Sequence, residues 1–243
     1  MIVEICTTTV SGALMAQNAG ADRIELCVGL ETGGLTPSYG LISSVMEQVD
    51  LPVHVLIRPH VGGFVANAED LDLMIRDIDM ACRLGAAGVV IGALTPDFEV
   101  DQDAITRMIQ AADGRWVTFH RAFDWVKDPL TALAQIEKLG INALLTSGQK
   151  PTAAKGFELL KTLLDQATTD LQIMPGGGVN AQNAGRFKAA GFRAIHGSAS
   201  VLVRTLDASG KLPLQEHLAE GVVRRTSLEN IENLIRTVKA PSV

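Results

Sequence analysis

Several short apolar segments of the sequence carry reactive side chains at alternate positions or at their ends. The first segment holds a glutamate and a cysteine two residues apart, and the second segment repeats that spacing. Carboxyl and imidazole groups serve general acid–base catalysis, whereas paired thiols bind a soft ion such as Cu(I). The residues that could do this chemistry are Glu4, Cys6, Glu25, Cys27, Arg58, His120 and His196.

The elements that must position these side chains repeat one theme. A run of β-branched or aliphatic residues is followed by turn residues and then by an amphipathic segment, and four of these segments end at a glycine suited to a helix C-terminus. Eight such units predict an α/β fold, a (β/α)8 TIM barrel in which residues 1–243 form a single domain. The predicted strands are Val3–Cys6, Arg23–Cys27, Val53–Arg58, Gly88–Gly92, Trp116–His120, Ala143–Thr146, Leu171–Pro175 and Arg193–His196.

Strand periodicity predicts which side chains enter the barrel. Successive side chains point to opposite faces of a strand, so Val3 and Ile5 facing the helices would turn Glu4 and Cys6 inward. The second strand repeats this alternation and turns its own glutamate and cysteine inward. An uncompensated charge inside a barrel is costly, so we expect Arg58 to be the counter-charge of the two glutamates. A purely structural ion-pair network is the alternative interpretation.

Glycine-rich loops after predicted strands seven and eight indicate an anion-binding site. These loops lie at the C-terminal mouth of a TIM barrel, where backbone N–H groups and helix N-termini commonly hold phosphate. The alternative role of the glycines is turn formation alone. The residues expected to contact a phosphate or carboxylate are Arg58, Thr146, Ser147, Gly176, Gly177, Gly178, His196, Gly197 and Ser198.

The C-terminal part of the chain is less regular. Residues from Arg204 to Glu220 predict an irregular excursion between the last strand and the last helix. Thr226 and Glu229 have the spacing of a capping box, which predicts a final helix over roughly Ser227–Val238.

Composition and charge exclude several classes of function. The net charge of −6 and the lack of a lysine- or arginine-rich run argue against nucleic acid as a partner. We expect no membrane partner, because there is no long apolar run and the N-terminus has no features of a leader peptide. Three cysteines without paired CxxC spacing are typical of a reducing cytoplasm. No motif indicates a nucleotide cofactor.

Seven motifs are spread over residues 2 to about 200: Glu4–Cys6, Gly20–Cys27, Gly33–Ser38, Ile57–Pro59, Thr118–Asp124, Leu145–Gln149 and Gly176–Gly178. Together they resemble the CutC family of copper homeostasis proteins. The resemblance implies a cytoplasmic barrel, often a homodimer, with a role in copper handling or Cu(I) binding, for which the strand cysteines Cys6 and Cys27 would be the ligands. One segment departs from the family pattern: many members carry a second arginine, then glycines and an aspartate, where this chain has His60-Val61-Gly62-Gly63-Phe64.

Two functions remain open from the residues alone. In the first, a copper ion is held by the paired thiols, although buried cysteine is also a common core residue. In the second, an enzyme acts on a small phosphorylated or carboxylated substrate, with Glu4, Glu25 and His120 transferring protons and Arg58 holding the anion. Such an enzyme would be an isomerase or lyase, or a hydrolase acting through two carboxylates.

Overall fold

Eight parallel strands form a nearly closed barrel in the computed structural model, which describes residues 1–204 and 222–239. The hydrogen-bonded order is β7-β6-β5-β4-β3-β2-β1-β8, and the two end strands, β7 and β8, contact each other. The predicted TIM barrel is therefore confirmed, and the predicted strand bounds differ by at most about two residues. The strands are β1 (Ile2–Thr7), β2 (Arg23–Leu26), β3 (Val53–Leu56), β4 (Gly88–Ile91), β5 (Trp116–Phe119), β6 (Ala143–Thr146), β7 (Gln172–Pro175) and β8 (Ala194–Gly197).

Helices follow the strands and cover the outside of the barrel. Their C-terminal ends terminate as the glycine pattern predicts. Gly20 and Gly191 adopt left-handed φ values of 85° and 92°, which residues with a side chain rarely adopt. Among the described residues the α-helices are α1 (Val10–Asn18), α2 (Tyr39–Met46), α3 (Ala68–Arg83), α4 (Gln102–Ala111), α5 (Pro129–Lys138), α6 (Phe157–Gln166), α7 (Ala181–Ala189) and α8 (Leu228–Lys239).

The alternation predicted for the strands is confirmed by the packing. Val3 and Ile5 belong to the large apolar layer between strands and helices. Cys6 and Cys27 belong to a separate inner cluster that also contains Leu56. The reactive side chains therefore point into the barrel because their apolar neighbours are buried under the helices.

The C-terminal part differs from the prediction in its helix cap. Two further strands, β9 (Ser200–Arg204) and β10 (Val222–Thr226), form an antiparallel pair before α8. Ser227 caps α8 by accepting a hydrogen bond from the Asn230 N–H at 3.3 Å. Thr226 instead ends β10, and its hydroxyl contacts that of Thr7 at 2.9 Å. The excursion predicted between Arg204 and Glu220 lies outside the described residues from position 205 onward.

Candidate functional site

Glu4 is the centre of a buried charged network inside the barrel. The registers of β1 place it beside Arg23 on β2 and His196 on β8. Arg23 Nε lies 2.5 Å from Glu4 Oε2, and His196 Nδ1 lies 2.7 Å from Glu4 Oε1. His54 Nδ1 is 3.8 Å from the same carboxylate. Glu4 has no exposed surface, so these neighbours replace the water that an ionised carboxylate needs.

The counter-charge of Glu4 is Arg23, which corrects the assignment of Arg58 to that role. Arg23 is 6% exposed, and its Nη2 donates to Gln172 Oε1 at 3.1 Å. Its guanidinium also lies 5.2 Å from the centre of the Trp116 ring. Sequence analysis missed Arg23, although it shares the inward parity of Glu25 and Cys27 on β2.

The pKa values of the two inward glutamates are shifted in opposite directions. Burial opposes ionisation of Glu4, but the hydrogen bond from His196 and the charge of Arg23 outweigh it and lower the pKa of Glu4 to about 2. Burial raises the pKa of Glu25, and the nearby Glu4 charge adds to that shift. The pKa of His196 is raised by Glu25 and Glu4 despite its burial. The site thus pairs an ionised carboxylate with a neighbour that favours its neutral form.

The two strand thiols meet inside the barrel. Cys6 pairs with Glu25 in the β1–β2 register, and Cys27 lies two residues after Glu25, just beyond the end of β2. Their Sγ atoms are nevertheless only 3.3 Å apart, and the Cys6 thiol also donates to Glu25 Oε1 at 3.5 Å. The contact with Cys27 and burial raise the pKa of Cys6 well above its ordinary value. The Cys6 thiol is therefore protonated at neutral pH until a ligand displaces the proton.

A cavity of about 410 Å³ opens from this network to the C-terminal mouth. Its lining includes thiol, carboxyl and imidazole groups on one side and guanidinium groups on another. Three arginines against one glutamate give the described lining an excess of positive charge, although the whole chain carries −6. The reactive and charged lining residues are Cys6, Glu25, Cys27, His120, His196, Arg58, Arg121 and Arg224.

Three of the lining residues could hold a metal ion together. Ligand atoms of Cys6, Glu25 and His196 all lie within 4.8 Å of one another. Glu25 Oε2 is buried without a hydrogen-bond partner among the described residues. His196 is oriented by the Glu4 carboxylate, an arrangement that commonly supports histidine ligands of metals.

Arg58 lies just beyond β3 and is anchored to loop backbone. Its Nη1 donates to the carbonyl oxygens of Thr32 at 2.9 Å and Gly34 at 3.0 Å, and its Nη2 donates to Gly62 at 2.9 Å. Its guanidinium stacks 5.1 Å from the Phe64 ring. Arg58 is therefore held at the cavity wall in a fixed orientation.

His120 follows β5 and begins a short 3₁₀ helix over Arg121–Trp125. Its Nδ1 accepts a hydrogen bond from the Ala122 N–H at 3.1 Å. Burial and the nearby Arg58 charge lower its pKa to about 3, so the ring is neutral near pH 7. A ring with so low a pKa, and with its Nδ1 lone pair occupied, is a weak proton acceptor, and the general acid or base role expected from the sequence stays a prediction.

The loop that follows β6 packs behind the cavity wall. The Thr146 hydroxyl donates to Asp124 Oδ1 at 2.5 Å, and the Ser147 N–H donates to the same atom at 3.0 Å. Asp124 also pairs with Arg121 Nε at 2.8 Å, which directs that guanidinium towards Gly177. Thr146 and Ser147 thus contact Asp124 instead of the cavity, and the sequence motif around Asp124 did not reveal this role.

The loops that follow β7 and β8 contribute backbone to the cavity wall. Gly177 and Gly178 line it with φ values of 92° and 74°. Gly197 and Ser198 line it from the end of β8. Gly176 has a packing role, since a Cβ there would lie 2.3 Å from Leu145 Cδ1. Arg224 on β10 joins the lining from a segment that sequence analysis left without a functional prediction.

Comparison with known proteins gives consistent matches. The model of the CutC family matches residues 1–201. A CutC family protein of Bacteroides thetaiotaomicron is 40% identical over 98% of this chain and 98% of its own length. One from Pasteurella multocida is 48% identical over 76% of this chain and 75% of its own.

A solved structure also matches. The crystal structure of CutC from Streptococcus agalactiae, which is named as a copper homeostasis protein, matches this chain with a TM-score of 0.77 and 32% identity. The match covers 82% of this chain and 98% of that one. Within the described part of the chain, none of the helices has the length and apolar character needed to cross a membrane.

Proposed function

This chain belongs to the CutC family, and from that premise we propose that it binds Cu(I) as cargo at the floor of the barrel mouth. The observation that carries the proposal is the 3.3 Å separation of two buried thiols, Cys6 and Cys27, at the bottom of an open cavity. Cu(I) is a soft ion that prefers few thiolate ligands. Here the two sulfurs come from neighbouring strands of a rigid sheet.

The thiol geometry supports this proposal. With metal–sulfur bonds of about 2.3 Å, two sulfurs on one ion stand between about 3.8 Å apart in a tetrahedral site and about 4.6 Å apart in a linear one. The present separation of 3.3 Å requires a small opening of the two side chains. His196 would supply a third ligand through Nε2, because Nδ1 is held by Glu4. The three arginines of the cavity wall, Arg58, Arg121 and Arg224, would remain outside this ligand set.

Loss of both thiols is expected to remove the copper site. An anaerobic Cu(I) titration against a chromophoric competitor should give one tight equivalent for the wild type and none for Cys6→Ser with Cys27→Ser. Cys82→Ser is the matched control, since Cys82 is a half-buried thiol on α3. Equal Cu(I) affinity in the wild type and the double variant would contradict the proposal.

A second candidate function is proton transfer on a small phosphorylated or carboxylated substrate. It is favoured by the opposed pKa shifts of Glu4 and Glu25 beside a cavity lined by arginines. Glu25 would act as the proton donor, and Glu4 would keep His196 oriented. This chemistry is that of an isomerase or lyase.

A ligand screen tests the second candidate. A substrate-like carboxylate or phosphate at about 100 times its Kd should raise the free energy of unfolding by about 2.7 kcal/mol. The stabilisation should disappear in Arg58→Ala. A broad set of metabolites that leaves Tm unchanged would count against an enzyme of this class.

The proposed setting is a cytoplasmic homodimer whose protomer is one barrel domain over residues 1–243. Reduced thiols support the location, because Cys6 and Cys27 must stay unoxidised to bind copper. Exposed apolar side chains on β9 and β10, including Leu202 and Val222, support the dimer. A monomer mass in sedimentation equilibrium at micromolar concentration would contradict it.

A further inference from the structure

Two buried donors in the cavity wall lack acceptors. His120 is 5% exposed, and since its Nδ1 accepts from the Ala122 N–H, the ring proton is on Nε2. That Nε2 has no hydrogen-bond partner among the described residues, and neither does the buried Nε of Arg58. A buried donor without a partner costs about 1–3 kcal/mol. Two such donors in one cavity wall indicate a place for an acceptor that the chain itself does not supply.

The surroundings hold both donors in place. The Phe64 ring lies 5.1 Å from the Arg58 guanidinium and 5.2 Å from the His120 ring, so it packs against both. Gly92 leaves room for the imidazole, since a Cβ there would lie 2.3 Å from His120 Cε1. The terminal nitrogens of Arg58 donate its three hydrogen bonds to backbone carbonyl oxygens, and Nε is left for a ligand. The donors are therefore preorganised without a bound ligand.

The acceptor that fits is an oxyanion. Charged lining residues among those described are Arg58, Arg121, Arg224 and Glu25, which gives an excess of cations. A cavity of about 410 Å³ is also much larger than a copper ion requires. The cavity therefore has the size and charge to hold a small anionic molecule beside the ion.

We propose that Arg58 Nε and His120 Nε2 form a subsite for the carboxylate of a small anionic thiol, which brings Cu(I) to Cys6 and Cys27 as a thiolate complex. The inference rests on the proposed copper binding and names its carrier. Transfer is a ligand exchange without a redox step. Two carrier sulfur–copper bonds break, two cysteine sulfur–copper bonds form, and each cysteine proton leaves on a carrier thiolate. Glu25 Oε1, which accepts from the Cys6 thiol at 3.5 Å, would relay one of these protons.

A carrier series tests the subsite. The Cu(I) complexes of mercaptosuccinate, 2-mercaptoethanol and cysteamine present anionic, neutral and cationic carriers to the same thiols. The wild type should draw copper from the mercaptosuccinate complex at least about tenfold more readily than from the other two, after correction for the stability of each complex. Equal preference for the three carriers would overturn the inference while leaving copper binding intact.

Two variants locate the effect. Arg58→Lys keeps the charge but removes Nε, and His120→Asn keeps an acceptor for the Ala122 N–H but removes the Nε2 donor. Each should lower the preference for the anionic carrier about tenfold and leave delivery from 2-mercaptoethanol unchanged. Arg107→Lys, at an exposed arginine paired with Asp72, is the matched control. An unchanged preference in either folded variant would remove that donor from the subsite.

Succinate without copper separates the two proposals. Calorimetry should detect succinate binding to the wild type and about tenfold weaker binding to Arg58→Lys and His120→Asn. Succinate binding by a protein that accepts copper from no carrier would support a carboxylate subsite alone and refute both the copper proposal and the carrier role. Absence of succinate binding together with equal use of the three carriers would refute the subsite.

Discussion

Replacement of Arg23 by methionine is expected to lower the free energy of unfolding by about 3–5 kcal/mol. The substitution leaves Glu4, which has no exposed surface, without the guanidinium 2.5 Å from its Oε2. Gln172 also loses its donor at 3.1 Å. Denaturant unfolding followed by circular dichroism measures the effect, and the pKa of Glu4 should rise towards its ordinary value.

Two comparisons show whether charge is the cause. The double variant Arg23→Met with Glu4→Gln should be more stable than Arg23→Met alone, because no buried carboxylate is left unpaired. Arg83→Met is the surface control, since Arg83 and Asp79 are mostly exposed and their pair contributes under about 1 kcal/mol. A loss below about 1 kcal/mol in Arg23→Met would show that Glu4 does not need this partner.

Acidification from pH 7 to pH 5 is expected to destabilise the fold through two buried imidazoles. Burial lowers the pKa of His54 to about 4 and that of His120 to about 3, against 6.5 when unfolded. A lowered native pKa contributes stability above pH 6.5 that is lost as pH falls through the native value. Between pH 7 and pH 5 each histidine contributes a loss of about 2 kcal/mol.

Other groups oppose this loss, so the test compares slopes. Raised pKa values at His196 and Glu25 favour the protonated native state and add stability as pH falls. His54→Gln should therefore reduce the pH 7 to pH 5 loss by about 2 kcal/mol, whatever the total. His60→Gln is the control, because His60 is exposed and its hydrogen bond to Asp70 raises its pKa. A slope identical in wild type and His54→Gln would mean that His54 is not buried neutral.

The barrel and its inward residues could be predicted because alternation is a property of the strand itself. Val3 and Ile5 had to lie under the helices, which left Glu4 and Cys6 inside regardless of how the strands pack. The closing glycine after α1, Gly20, follows from backbone sterics that are equally local. Such features depend on residues close together in the chain.

Partnerships across the barrel could not be predicted in the same way. Which inward residues stand level depends on the stagger between strands, so sequence analysis assigned Arg58 to Glu4 and missed Arg23. The role of Asp124 depends on a loop that folds back over β6, and Arg224 reaches the mouth from a strand pair near the C-terminus. These contacts join distant parts of the chain, and residue spacing carries little information about them.

X-ray absorption at the copper edge of the Cu(I)-loaded protein tests the central claim most directly. The account predicts a first shell of two sulfur atoms and one nitrogen, from Cys6, Cys27 and His196, unchanged in Cys82→Ser. The Cys6→Ser with Cys27→Ser variant should retain no copper that has sulfur ligands. A shell of only nitrogen and oxygen in the wild type, or sulfur that persists in the double variant, would contradict copper binding at the paired thiols.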